Sequence, residues 1–138
     1  MNDTADIAVI DLQSVVKDIL DTVERERERE IIARRFGLYD RKETLEQIGE
    51  LLGITRERVR QLEKAIMIRL RLAAEDDLPH ITGIEKHFIR HLHDLGRVAR
   101  VQDLTIRLVA EPTETSRAHV AFIAEIAPRL TVVEENDR

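Results

Sequence analysis

The chain has 138 residues, which is enough for one ordinary domain or two small ones. Charged residues make up 36% of it and the formal net charge is −5, while Gly and Pro number only five and three. So few turn-forming residues favour helices over a sandwich or barrel. The absence of cysteine excludes disulfides and thiolate zinc sites. With no signal-peptide pattern and no long apolar run, we expect a cytoplasmic protein without a membrane partner.

Positive charge is concentrated in the middle of the chain. Residues 24–74 carry thirteen basic and ten acidic side chains, whereas residues 1–23 and 75–138 are both net acidic. Within the middle segment, residues 55–71 hold six basic and two acidic side chains. A nucleic-acid contact is therefore expected in this stretch rather than at either end.

Residues 1–37 predict two helices. Apolar residues at helical spacing predict an N-terminal amphipathic helix between Asp11 and Val23, serving either as core or as a docking face for a partner. The alternating Glu and Arg residues of 24–30 predict a solvated face on a second helix. Gly37 is well placed to end that helix.

Residues 44–74 carry the signals of two consecutive helices. Thr44 with Gln47 three residues later predicts a capping box at the start of a short helix. After Gly53, Thr55 can cap a longer helix that runs to about Ala74. Its inward face would consist of Val59, Leu62, Ile66 and Leu70. A capped short helix, a glycine turn and a longer helix together predict a helix-turn-helix.

The longer helix would present polar side chains opposite its apolar stripe. Arg56 lies in the first turn, where a helix entering the major groove meets the base edges. On base edges, Arg can donate to guanine, Gln can bond to adenine and Glu can accept from cytosine. Arg58 and Lys64 are better placed to contact phosphates, and so are the N–H groups at the two capped helix starts. By spacing alone, a solvated charged face is the alternative. The candidate DNA-binding residues are Thr44, Thr55, Arg56, Glu57, Arg58, Arg60, Gln61 and Lys64.

Residues 75–82 predict a linker, and three further helices with two short strands are expected beyond it. Thr82 with Glu85 predicts a capping box for a helix ending at Gly96. Helices are expected over 102–110 and 116–127, strands at 98–101 and 130–133, and a hairpin turn over 134–137. We therefore expect residues 83–138 to be a small winged-helix-like domain within which the chain stops.

Other kinds of functional site have little support in the sequence. His87 and His91 are spaced i,i+4 near Glu85, but surface histidines explain this pattern without a metal ion. Neither a nucleophile–base arrangement nor a glycine-rich phosphate loop is present. We expect no metal, no cofactor, no small-molecule substrate and no enzymatic activity.

Three strings resemble region four of the primary bacterial sigma factors: RRFGL at 34–38, TLEQIG at 44–49 and GITRERVRQLE at 53–63. The resemblance covers about residues 24–74. It implies that Arg56, Glu57 and Gln61 contact bases of the minus-thirty-five promoter element in double-stranded DNA. It also implies that Glu63 turns inward to pair with an Arg. It further implies that Thr55, Arg58 and Arg60 contact the DNA backbone or support the recognition helix.

The same resemblance implies docking on the β flap of the RNA polymerase core, through the apolar side of the helix that contains Ile31, Ile32 and Phe36. The chain departs from the family pattern in two places. Glu24 and Arg25 replace the usual Leu-Thr start, and apolar residues thin the basic tail over 65–68, which implies weaker phosphate binding. Nothing resembles the sigma region that melts the minus-ten element.

Residues 83–138 more loosely resemble a HARE-type helix-turn-helix, through the string LGRVARVQDL at 95–104. Its second helix offers only Arg117 and His119 as basic groups, so protein contact or a structural wing is favoured over direct DNA binding. The sequence as a whole predicts a mainly α protein that binds promoter DNA in transcription. The alternatives are a polymerase-binding module with incidental DNA contact, or a fragment of a longer sigma factor.

Overall fold

The computed structural model describes residues 11–76 and 78–132, and its regular structure is entirely helical over these ranges. The prediction of a mainly α fold is confirmed. No helix in this part of the chain is long and apolar enough to cross a membrane. The elements are α1 (Leu12–Leu20), α2 (Glu26–Phe36), α3 (Leu45–Leu52), α4 (Arg56–Ala74), α5 (Ile81–Asp94), α6 (Val101–Leu108) and α7 (Glu114–Ile126).

The helix-turn-helix forms where its local signals predicted it. Thr44 and Gln47 make both hydrogen bonds of the capping box at the start of α3. The Thr55 hydroxyl accepts from the Arg58 N–H at 3.0 Å and so caps α4. Gly37 and Gly53 follow α2 and α3 in the left-handed conformation, with φ of 70° and 74°. These boundaries agree with the sequence because every one of these bonds is local.

Two apolar cores lie against different faces of α2. A small core within the helix-turn-helix contains Ile31, Ile48 and Val59. A larger core draws buried residues from every helix except α3. Ile31 points into the small core and its neighbour Ile32 into the large one, since adjacent residues on a helix lie about 100° apart. The larger core contains residues of all four predicted segments, 1–23, 24–74, 75–82 and 83–138, and the division into these segments stays a prediction.

The C-terminal helices depart from the sequence expectations in two ways. Val98 and its two successors form no strand, Val101 begins α6, and residues 130–132 also form none. A strand must pair its backbone groups with a neighbour, and the described residues offer none. Val98 instead lies 84% exposed. Both strand predictions are wrong for these residues, which give the winged-helix expectation no support. Residue 133 and the predicted turn over 134–137 lie outside the described residues.

The capping box predicted at Thr82 is also wrong. Helix α5 begins two residues earlier than that cap implies, at Ile81, with His80 as an N-cap that makes no side-chain bond. Glu85 is buried, and its Oε2 accepts from the Arg129 N–H at 2.7 Å rather than folding back on its own helix. The Glu85 carboxylate, which the local pattern predicted to cap α5, therefore makes a tertiary hydrogen bond instead.

Candidate nucleic-acid interface

The turn between α3 and α4 depends on a close backbone approach at Gly49. An ideal Cβ there would lie 2.6 Å from the carbonyl oxygen of Ile54. The Ile54 N–H donates to the Gly49 oxygen at 2.9 Å. Gly49 is not among the residues singled out from the sequence, although a glycine inside an eight-residue helix is a signal, because alanine stabilises a helix better. The contact sets the angle at which α4 leaves α3.

The first half of α4 presents one exposed polar face. The stripe predicted to face inward is buried except for partly buried Leu62, so the predicted reading residues point into solvent. Thr44 and Thr55 are also exposed, at the starts of the two helices. The exposed side chains of the face are Arg56, Glu57, Arg58, Arg60, Gln61 and Lys64.

Two pairs on this face are held in defined orientations. Glu57 accepts from Arg60 in a forked arrangement, at 3.0 Å from Nε and 2.6 Å from an Nη atom. Hydrogen bonding to Arg60 lowers the pKa of Glu57, and the same pair raises the pKa of Arg60. Arg58 donates to Gln61 Oε1 at 3.4 Å. Arg56 and Lys64 make no ion pair within the described residues, so their charges are available to a ligand.

Glu63 does not share the exposed face. Its Oε1 accepts from Nε of Arg35 on α2 at 3.2 Å, and its side chain is 22% exposed. The prediction that Glu63 turns inward and pairs with an arginine is confirmed. The ion pair ties the middle of α4 to α2.

A cleft of about 580 Å³ beside the start of α3 adds positive charge next to the interface. Arg41 and Lys42 line it together with Gln47, and all three are exposed. Arg34 also lines the cleft but is neutralised by Glu30 and Glu43, and hydrogen bonding to Glu30 raises the pKa of Arg34. Arg41 and Lys42 are not among the predicted site residues. The sequence did contain a signal for them, because two consecutive basic residues stand just before the cap of a helix, where an anion can bind.

The residues predicted to dock on polymerase pack against other residues of the chain. Ile31 and Ile32 are fully buried, one in each core. Phe36 packs edge-on against Phe122 of α7, with ring centroids 5.2 Å apart and an angle of 63° between the rings. In this structure these three side chains therefore pack within the chain, and polymerase docking through them stays a prediction.

Two of the histidines, His91 and His119, are buried and hydrogen-bonded within the chain. His119 is buried, its Nε2 lies 2.6 Å from the Leu38 carbonyl oxygen, and burial lowers its pKa. The neutral ring therefore donates to that oxygen, and His119 is not a basic group for DNA. His91 is also buried and accepts from Arg107 Nε at 3.3 Å through Nδ1. No group of three or more potential metal ligands converges in the part of the chain described.

Comparison with known proteins shows what this helix-turn-helix is similar to. Residues 25–72 match the family model of sigma-70, region 4. This region-four segment therefore runs from just before α2 to near the end of α4. The chain is also 45% identical over 69 residues to the RNA polymerase sigma factor SigA of Bacillus sp. That alignment spans 49% of this chain and 18% of the SigA protein. No solved structure matches the chain.

Proposed function

We propose that the chain is a sequence-specific DNA-binding transcription protein that reads promoter DNA with α4. The observation that carries this proposal is the exposed face of α4 within a region-four segment. Arg56, Glu57 and Gln61 would meet base edges in the major groove, where each has a matching hydrogen-bond pattern. Arg58, Arg60 and Lys64 would hold phosphates or support the reading side chains.

The distribution of charge supports the same orientation. Arg41 and Lys42 stand beside the start of α3, where the Thr44 cap leaves backbone N–H groups close to solvent. They would strengthen a phosphate contact on the flank of the groove. The net acidic segments on either side of residues 24–74 would repel non-specific DNA. Binding would therefore be restricted to the face of α3 and α4.

The test begins with selection of bound sequences from a random DNA pool at a stated salt concentration. Fluorescence anisotropy on the selected site then compares wild type with Arg56→Ala and Gln61→Ala. Each substitution should cost about 1–3 kcal/mol at that site, because a base contact is lost. Arg69→Ala is the matched control, since Arg69 lies on the same helix but pairs with Glu28. Failure to enrich any sequence would overturn the proposal.

We extend the proposal to RNA polymerase as a second partner. The support is the similarity to a protein named as an RNA polymerase sigma factor, of which this chain covers 18%. Co-purification of the chain with Bacillus RNA polymerase core in the presence and absence of promoter DNA tests this partner. Binding to DNA without any binding to core would leave only the DNA-reading role.

A further inference from the structure

The C-terminal half of α4 has two apolar faces, and the described residues cover only one of them. The covered face packs into the large core through Ile66, Met67 and Leu70. On the other face, Ile68 and Leu72 are 45% and 62% exposed. A helix that is apolar on more than one face is typical of a helix that is covered on more than one side. The exposed face is therefore a candidate binding surface.

Three exposed side chains form this outer face: Ala65, Ile68 and Leu72. Their spacing of three and four residues places them in one line along the helix, and we call them the outer stripe. Residues 65–68 are also where apolar side chains replace the basic tail of the sigma pattern. Packing into the large core accounts for the two middle residues of that run but not for Ala65 and Ile68. The outer stripe is thus an apolar feature that neither the core nor the proposed DNA contact explains.

The two ends of the outer stripe carry opposite charges. Lys64 lies one turn before Ile68, whereas Glu75 and Asp76 lie about one turn after Leu72. All three charged side chains are exposed, and none of them forms an ion pair in the part of the chain that the structure describes. Lys64 and Asp76 are separated by about 18 Å along the helix, so they cannot pair with each other within one chain.

The two arginines that flank the outer stripe are already neutralised. Arg69 donates to Glu28 of α2 at 2.7 Å. Arg71 donates to the carboxylate of Glu125 of α7 at 3.1 Å. A surface that approaches the stripe therefore meets no unpaired arginine on either side, and two copies of the stripe can meet without repulsion between these four guanidinium groups.

We propose that the outer stripe binds the outer stripe of a second copy of this chain, with the two α4 helices antiparallel. The argument for a second copy is that the surface is complementary to itself. A two-fold axis at the level of Leu70 brings Ile68 of each copy against Leu72 of the other. It also brings Lys64 of each copy beside Asp76 of the other, so that every contact is made twice.

This self-association goes beyond the proposed function and does not depend on it. The contact uses the part of α4 from Lys64 onward, while Arg56 and Glu57 lie at the other end of the helix. A contact along one helix face is small beside the roughly 1,200–2,000 Å² that a stable interface buries. The dimer is therefore weak and forms only at high protein concentration, or where two copies are held close together.

The first test is sedimentation equilibrium of the full chain without DNA, between about 10 μM and 1 mM, where a contact of this size associates. Wild type should pass from monomer to dimer over this range. Leu72→Lys should weaken the association about tenfold or more, because each copy loses an apolar contact. Ile106→Lys is the matched control, since Ile106 is a 61% exposed apolar residue of α6 outside the stripe, and it should associate as wild type does.

The second test uses the charges to check the antiparallel pairing. Lys64→Glu alone places two acidic groups opposite each other, and Asp76→Lys alone places two basic groups opposite each other. Each variant by itself should therefore associate more weakly than wild type. In an equimolar mixture of the two variants, both charge pairs are again opposite in sign, and the mixture should dimerise as wild type does. Circular dichroism checks that every variant keeps its helices.

A wild-type chain that stays monomeric at every concentration would overturn the proposal and leave the outer stripe to a different protein. Equal association of Leu72→Lys and wild type would overturn it as well, because the stripe would then lie outside the contact. Assemblies larger than a dimer would contradict the two-fold contact, which closes on itself. A mixture that dimerises no better than its two components would contradict the antiparallel pairing.

Discussion

The Arg35 guanidinium on α2 and the Glu63 carboxylate on α4 form an ion pair across the helix-turn-helix, with Nε and Oε1 3.2 Å apart. Glu63 follows Gln61 by only two residues, yet it contributes to the packing of α4 rather than to its exposed polar face. Two acidic residues of the same helix therefore have different tasks. Glu57 faces solvent beside Arg60, and Glu63 faces α2.

Glu63→Gln should leave the preferred DNA sequence unchanged. The free energy of unfolding should fall by about 0.5–1 kcal/mol, because the ion pair is partly exposed and worth little more. Urea unfolding and DNA selection measure the two effects. Glu57→Gln is the control of the same chemistry on the exposed face, and it should alter the preference at one base pair. A changed preference in the Glu63 variant would contradict its assignment to packing.

Gly49→Ala should destabilise the protein by about 1–3 kcal/mol, because the new methyl group would meet the Ile54 carbonyl at 2.6 Å. Gly83 provides the matched control. It lies in α5 with no atom within 4 Å of an added Cβ, so Gly83→Ala should stabilise by about 0.5–1 kcal/mol through helix propensity. Thermal or urea unfolding checks both. Equal effects of the two substitutions would argue against the close approach at the turn.

Lys64→Ala should weaken binding to all DNA sequences alike and reduce the slope of log Kd against log salt concentration by about 1, since the variant loses the phosphate contact proposed for Lys64. Anisotropy titrations at several salt concentrations measure the slope. Lys86 is an exposed lysine on α5 and does not belong to the exposed polar face of α4, so Lys86→Ala should leave the slope as it is. If Lys64→Ala instead changed the preferred sequence, Lys64 would be a base-reading residue.

The protein should lose stability as the pH falls below about 6.5, in part through His119. Burial lowers the pKa of His119 in the folded protein below the ordinary value of 6.5. The unfolded chain then takes up a proton at a higher pH than the folded one, so the stability from neutral His119 is complete above that pH and declines below it. His119→Gln keeps an N–H donor for the Leu38 carbonyl without titrating.

Urea unfolding at pH 7.5 and pH 5.5 compares the two proteins. The difference in unfolding free energy between the two pH values should be smaller for His119→Gln than for wild type. Part of the difference should persist in both, because burial also lowers the pKa of His91. An unchanged pH dependence would show that the imidazole of His119 titrates alike in the folded and unfolded chains.

The sequence by itself predicted the elements whose stabilising contacts are local. The caps at Thr44 and Thr55 and the left-handed glycines Gly37 and Gly53 act through hydrogen bonds and backbone angles within a few residues. Helical periodicity likewise predicted which side of α4 is buried, and with it the face that carries Arg56 and Gln61. These features need no knowledge of the rest of the chain.

Only the tertiary structure decided which apolar faces pack against each other and which polar groups form hydrogen bonds between distant parts of the chain. The stretch around Val98 has strand-like residues but no neighbouring strand, and Glu85 bonds to the distant backbone of Arg129 instead of capping α5. The sequence shows that the helix with Phe36 has an apolar side, but it does not show which residue covers Phe36. In the structure Phe122, which lies 86 positions further along the chain, packs against it. A side chain is buried only when a second surface packs against it, whereas a periodic pattern in the sequence describes only one of the two surfaces.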